Sequence, residues 1–355
     1  MFAQIEYPQN LLPEELDKYL ANGWFRMRQT IFTTNFLHFN NLFYSAIWLR
    51  VVLNHSIHDK KYISLNKLNK GFRTEIKKSA IEGITPSHET LYQHYRKSIS
   101  FEISPSLYEL LFGNEAYSRF NTYEVNIYHH DTLIAAGFFD LGKKSAAGIC
   151  CIYHSGYKKY SLGKYLIYLK MDFCIRSQLQ YFYPGYMVPG YPAFDYKLEI
   201  GKATLQYLQL SSQQWLSYPG LVPFLDPLHQ MVEKLGKLQF CLEKNNVYTT
   251  LLYYKFFEVN LDPSYYGQEL FDFPVFLYCF PNTETSHYRI IIYNVCDTKY
   301  YLLQCSSIIN IDFQQVIPPI FNSDVLKVER VLFATAIPVE ICTHLSGILK
   351  HDGSA

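Results

Sequence analysis

Three apolar, strand-like runs follow one another between residues 122 and 153, and what comes directly after them constrains the fold most. The runs are Tyr123–Tyr128, Thr132–Phe139 and Ala146–Tyr153, separated by the polar turns His129-His130-Asp131 and Leu141-Gly142-Lys143-Lys144. Short polar turns join antiparallel neighbours, so the three predict a meander. A helix is expected from about Leu162 to Leu179, because Leu162, Tyr165, Leu166, Leu169 and Phe173 fall on one stripe. A further short strand, Tyr181–Tyr186, follows.

The flanks read differently. Leu11 to Leu20 has the pattern of a short amphipathic helix, with Pro13 at its first turn and Glu14 and Glu15 behind it. Asn22-Gly23 stops it. Trp24 to Leu37 is expected as a strand or hairpin, and Ile47 to Leu53 as a strand. His88 to Tyr108 carries a helical pattern through Leu91, Tyr95 and Ile99. Tyr191–Leu198 reads as a bent loop. After about Gly220 the chain turns β-rich, with a helix over Pro223–Lys237 and strands within Val247–Val259, Val275–Phe280, His287–Val295, Tyr300–Ile308 and Val325–Ala336; His351 to Ala355 reads as a polar tail. The fold class expected is α+β. For 355 residues the expected division is 1–85, 86–215 and 216–355, the last a β-rich extension of unknown role.

Composition narrows the function classes. At 49% hydrophobic and 18% charged the chain is not disordered, and a net charge of +1 gives no global basic field. No apolar run reaches the length of a membrane span, and Met1-Phe2-Ala3-Gln4 has no secretory pattern, so a cytoplasmic location is expected. Eight cysteines without C-x-x-C are expected to be reduced and buried. The sequence holds no G-x-x-x-x-G-K-[ST], G-x-G-x-x-G or G-x-S-x-G motif, which speaks against nucleotide, dinucleotide and serine-hydrolase sites.

Meander, loop, helix, strand is the order of a GNAT-type acyltransferase module. The loop here is Ile152 to Gly163. A CoA-binding loop would carry two spaced glycines after its basic residue; this one has Lys158-Lys159, then Ser161 where a glycine is expected, then Gly163.

Ser161-Leu162-Gly163-Lys164-Tyr165, the helix, Tyr181-Phe182-Tyr183-Pro184-Gly185-Tyr186 and Tyr196-Lys197 together resemble the C-terminal half of the arginyl-tRNA–protein transferases and their bacterial leucyltransferase relatives. That family carries S-L-G-x-Y, a helix, Y-x-Y-L-G-Y-W and K-M-x-Y-K in this order. Gly23-Trp24-Phe25-Arg26 is similar to its G-W-R-R, Leu91-Tyr92-Gln93-His94-Tyr95 to its L-Y-x-x-Y, and Phe138-Phe139-Asp140 falls at its V-D. The resemblance covers roughly residues 11–205. The chain departs from the family in having no cysteine before Cys150, which excludes a cysteine-ligated metal site there, and in replacing Asp-Pro before S-L-G by His154-Ser155-Gly156.

The resemblance implies transfer of an amino acid, Arg or Leu, from aminoacyl-tRNA to the N-terminal amine of an acceptor protein, with no cofactor, metal, membrane or DNA. The alternatives are a non-catalytic homologue that binds tRNA or protein N-termini, and a GNAT-like N-acyltransferase using another donor. The candidate catalytic residues are His154, as proton acceptor, and Tyr186, Tyr196 and Lys197. Trp24, Arg26, Ser161, Gly163 and Tyr183 are the candidates for substrate binding. Lys67, Lys70, Arg73, Lys77 and Lys78 are the candidate tRNA contacts, since clustered cations release counterions from a nucleic acid. Each has an ordinary alternative. Tyr183, Tyr186 and Tyr196 read equally as core aromatics, Lys197 as a snorkelling lysine and Ser161 as a helix cap. Arg26 is open between a substrate carboxylate and Glu14 or Glu15, and the basic run between a tRNA groove and a solvated face.

Overall fold

A computed structural model describes residues 1–54, 59–79, 83–100, 102–220, 226–279, 287–310 and 319–352. Its centre is an eight-stranded sheet in the order Gln214–Ser217, Leu205–Gln209, Ile47–Val52, Tyr181–Met187, Ser145–Tyr153, Thr132–Leu141, Thr122–His129 and Arg73–Lys78. The three meander strands pair antiparallel as expected. Ser145–Tyr153 and Tyr181–Met187 are parallel, because the helix Leu162–Arg176 carries the chain back across the sheet between them.

Two strands of this sheet, Ile47–Val52 and Arg73–Lys78, come from before residue 85. The boundary expected there therefore crosses the sheet. The hairpin Leu205–Gln209/Gln214–Ser217, which no expectation covered, extends the other edge. The basic run also divides: Asp59 caps the helix Lys60–Asn69 through the Tyr62 N–H, and after Gly71 the chain becomes the edge strand Arg73–Lys78. The helical pattern over His88–Tyr108 divides likewise, into Pro86–Ser98 and Leu107–Phe112. Pro105 stands between them, and the Tyr92 hydroxyl bonds the Ser104 carbonyl across the break (2.7 Å).

Helices cover both faces of the sheet. Leu162–Arg176, backed by Lys60–Asn69, packs Leu166 and Tyr168 with Leu49, Val125, Phe139 and Phe182. On the other face Pro86–Ser98 and Leu107–Phe112 bury Leu91, Tyr92 and Leu111 against Ala136 and Phe138. The helix Pro13–Ala21 buries Leu16 and Leu20 beside Trp48, Ala147 and Tyr183. Asp17 fixes it there: its carboxylate accepts the Lys144 N–H (2.9 Å) and the Ser145 hydroxyl (2.5 Å).

Beyond residue 226 a second sheet runs Ile320–Phe321, Thr249–Tyr254, Val275–Cys279, His287–Asn294, Lys299–Asn310, Asp324–Thr335. The helix Pro227–Lys244 packs on it through Met231, Leu235, Leu238 and Leu242. Residues 221–225 of the expected Pro223–Lys237 helix lie outside the described residues. A closing helix, Pro338–Asp352, was not anticipated; it takes the first two residues of the expected polar tail, and 353–355 are not described. Phe2 and Phe36 enter the core of this sheet, and Asp272 accepts the N–H groups of Phe2 and Ala3, so the start of the chain is built into the third unit. Among the described residues no helix is long and apolar enough to cross a membrane. None of the eight cysteines is in a disulfide, but Cys150, Cys151, Cys241 and Cys296 are only half-buried, against the expectation of burial.

Candidate functional site

The parallel pairing at the centre of the sheet is brief. Ser145, Ala146 and Ala147 face Tyr181, Phe182 and Tyr183, and it ends there. Gly148–Tyr153 stays with the strand Thr132–Leu141, Pro184–Met187 with Ile47–Val52, and a gap opens between them. Local sequence opens it. Pro184 has no N–H to offer a neighbour and Gly185 takes φ +85°. Each strand also shifts register at the parting, between Gly148 and Cys150 and between Phe182 and Gly185.

Irregular stretches of a sheet leave carbonyls to be satisfied, and two lysines donate here, Lys170 at the bulge between Thr132–Leu141 and Ser145–Tyr153 and Lys197 on the strand Tyr181–Met187. Lys170, 1% exposed, reaches from its helix to the carbonyls of Phe138 and Cys150, both at 2.8 Å, and to Cys151 Sγ at 3.3 Å. Gly137 leaves room for it, since a Cβ there would lie 2.8 Å from Lys170 Cε. Lys197 donates to the Tyr186 carbonyl at 2.6 Å and lies over the rings of Phe194 (4.9 Å) and Tyr186 (5.3 Å). Burial pushes its amine down from 10.5 to about 7. Near neutral pH an appreciable fraction of this lysine is therefore uncharged and able to take a proton.

Aromatic residues line the rest. Tyr186 stacks on Phe194 (5.7 Å) and stands edge-on to Trp48 (5.2 Å). Burial, then Glu258, pushes its hydroxyl up to about 12. Tyr196 is 38% exposed, and its hydroxyl is raised by desolvation and then by Cys151 and Tyr95. Glu199 accepts from Lys164 at 2.9 Å and also from Lys61, tying the turn Pro192–Glu199 that carries Tyr196 and Lys197 to two helices. Those two lysines hold its carboxyl at about 2.

The loop after the central strand differs from expectation. His154 Nδ1 accepts the Gly156 N–H at 3.1 Å. Desolvation and the neighbouring His94, whose ring lies 4.1 Å away, lower its pKa. A neutral imidazole with Nδ1 occupied as acceptor carries its hydrogen on Nε2. His154 is thus arranged as a hydrogen-bond donor, and its expected role as proton acceptor would cost the Gly156 bond. Ser161 does stand at the N-cap of Leu162–Arg176, but in the left-handed region (φ +52°) and without capping through its hydroxyl. Gly163 admits the Tyr153 ring, which a Cβ would meet at 3.2 Å.

Of the expected substrate contacts, Arg26 and Tyr183 are buried in the core, and Trp24 is half-buried at its edge. Arg26, 6% exposed, pairs with Asp140 at 2.9 Å, donates to Thr122 and to the carbonyls of Leu111 and Arg28, and covers the Phe120 ring. It pairs with neither Glu14 nor Glu15; Glu14 meets Lys143 (2.9 Å). Tyr183 is buried edge-on to Trp215, and Trp24 packs beside Tyr19.

The basic residues separate into two sets. Lys77 is committed to the buried Glu124 at 3.3 Å and to Glu75, and Arg73 to Glu75 (3.5 Å) and the Tyr128 ring. Lys67, Lys70 and Lys78 are exposed. The end of the helix Lys60–Asn69 abuts the loop of the site, with Asn69 donating to the Tyr160 carbonyl (3.1 Å) and Phe72 edge-on to Tyr160 (4.9 Å). Exposed Lys67 and Lys70 thus lie at the helix end that meets the loop carrying exposed Lys158 and Lys159.

The sequence reading did not single out Lys170, Cys151, Tyr153, Phe194 or His94 as site residues. Only Lys170 left a signal, a charge beside Leu166, Leu169 and Phe173 on the buried side of its helix.

Residues 87–207 match the family model described as arginine-tRNA-protein transferase, C terminus. The chain is 23% identical over 222 residues to the aspartate/glutamate leucyltransferase of Leptospira interrogans, covering 60% of this chain and 84% of that one. It is 26% identical over 213 residues to the enzyme of the same name from Vibrio cholerae, covering 59% and 85%. The matched span contains both parted strands, the loop between them and the Tyr196-Lys197 turn, so over this part the chain is similar to the arginyl-tRNA–protein transferases and the aspartate/glutamate leucyltransferases.

Proposed function

We propose that the chain is an aminoacyl-tRNA–protein transferase, moving Arg or Leu from charged tRNA to the N-terminal amine of an acceptor protein, with the GNAT-like opening between Gly148–Tyr153 and Pro184–Met187 as its active site. The observation that carries this reading is Lys197, a buried amine bonded to the Tyr186 carbonyl beside the parted strands, in a span similar to this family. The donor ester is already activated, so the protein has to orient the amine, take its proton and stabilise the oxyanion. Lys197 takes the proton from the attacking α-amine. The Nε2–H of His154 and the hydroxyl of Tyr196 are the donors for the developing oxyanion. Lys67, Lys70, Lys158 and Lys159 face the tRNA acceptor end on the loop side. By analogy with the relatives, the acceptors begin with Asp or Glu.

The test is a transfer assay with bulk tRNA charged separately with labelled Arg, Leu or Phe, and peptides beginning Asp, Glu, Arg, Lys or Ala. Label moving from one donor into one class of acceptor establishes the activity. Charged tRNA that binds without transfer makes the chain a reader of tRNA instead.

A further inference from the structure

Two cysteines a hundred residues apart in sequence meet far from the parted strands. Cys241 lies on the helix Pro227–Lys244 and Cys342 on the closing helix Pro338–Asp352, and their sulfurs are 3.0 Å apart. Side-chain packing brings them there: Ile341 and Leu345, both fully buried, share one core with Leu238 and Leu242, and so seat the closing helix beside the first. The pair is asymmetric. Cys342 is 3% exposed, whereas Cys241 is half-buried and within reach of a small reagent. Thiols held this close on two rigid helices need only small side-chain rotations to reach bonding distance.

We propose that Cys241 and Cys342 form a redox-responsive dithiol, which a low-molecular-weight disulfide converts to an intramolecular disulfide locking the closing helix onto the helix Pro227–Lys244. The Cys241 thiolate attacks one sulfur of the reagent, and the reagent's own S–S bond breaks, releasing one thiol. Cys342 then loses its proton and its sulfur attacks that of Cys241, expelling the second reagent thiol. The protein loses two protons and two electrons, and the reagent disulfide takes them up to become two thiols. Cys342 is the slower partner, because desolvation and then Cys241 push its thiol up to about 12. The other close thiols, Cys150 and Cys151, are neighbours on one strand and point to opposite faces of it, which excludes the same closure.

The inference is independent of the transfer activity. The full chain is incubated under native conditions with oxidised glutathione, quenched by alkylation, and mapped without reduction. The expected result is the loss of two thiols, a linked peptide joining Cys241 to Cys342, and a melting temperature raised by about 5 °C or more, since the link closes a loop of about a hundred residues. In Cys342→Ser the reaction should stop at a glutathione adduct on Cys241, without the rise in melting temperature. If Cys342→Ser does not fold, the wild-type map decides alone. A persistent adduct on Cys241 in wild type, an unchanged thiol count, or a linked peptide that forms only in denaturant would each overturn the proposal.

Discussion

Lys197 Nζ lies 2.6 Å from the carbonyl oxygen of Tyr186, on a strand that has just parted from its parallel neighbour. The lysine donates to that strand just beyond the point where the parallel pairing ends. The aromatic wall of Tyr186 and Phe194 that buries it is also what lowers its proton affinity. Structure and chemistry therefore rest on the same contact, and a substitution must be read for both.

Lys197→Met should lower transfer by about 100-fold or more, the range for losing a general base. Wild-type activity should rise with pH through about 7, and that limb should be absent in the variant. Stability gives a second, independent reading. The folded state holds this amine below its ordinary 10.5, so between about 7 and 10.5 the unfolded chain binds more protons and stability rises with pH. Below about pH 7 the full burial penalty is present. Denaturant titrations across this range should show wild type gaining on Lys197→Met by a few kcal/mol as the pH rises. A flat difference would mean that the amine is charged throughout.

His154→Asn separates capping from donation. An asparagine side chain can accept the Gly156 N–H, as the imidazole does at 3.1 Å, but places no donor where Nε2 stood. Melting should change little, and kcat should fall by about 10- to 100-fold with KM nearly constant. Equal loss of stability and rate would assign the histidine to the loop alone.

Arg26→Ala should destabilise the protein by about 3–5 kcal/mol, because it strands the Asp140 carboxylate in a site where burial already disfavours its charge. Arg26→Met with Asp140→Leu together should recover most of that loss. Denaturant unfolding of the two variants beside the wild type tests this. Were Arg26 a substrate clamp, KM would change without a change in stability.

Much of this architecture was legible along the chain. The meander, the crossing helix and the order of motifs follow from alternation and stripe patterns that local sequence carries by itself, as in Thr132–Leu141 and Leu162–Arg176. What pairs with what was not. Arg26 finds Asp140 only once residues 114 positions apart share a face, and nothing near either residue announces it. The run from Lys60 to Lys78 reads as one charged feature, yet Gly71 divides it into a helix and an edge strand whose Lys77 turns toward the buried Glu124. The closing helix, with His344 stacked on Phe333, lacked a strong polar face to mark it.

That division of the basic run makes a sharp prediction for tRNA binding. Lys67, Lys70 and Lys78 are exposed, so replacing all three with Ala should weaken tRNA binding and reduce its dependence on salt, by about 0.7–0.9 in the log–log slope for each phosphate no longer neutralised. Lys77→Ala should do something else. Its partner Glu124 is fully buried and also held by Ser79 (3.0 Å) and Asn126 (2.9 Å), so removing the ammonium leaves a buried carboxylate short of its charge partner. The expected result is a loss of stability with the salt slope unchanged. Binding titrations at several salt concentrations, beside denaturant unfolding of the same variants, distinguish the two sets. A slope that falls with Lys77→Ala and not with the triple variant would place the tRNA on the Glu124 side of the edge strand and remove the helix Lys60–Asn69 from the interface.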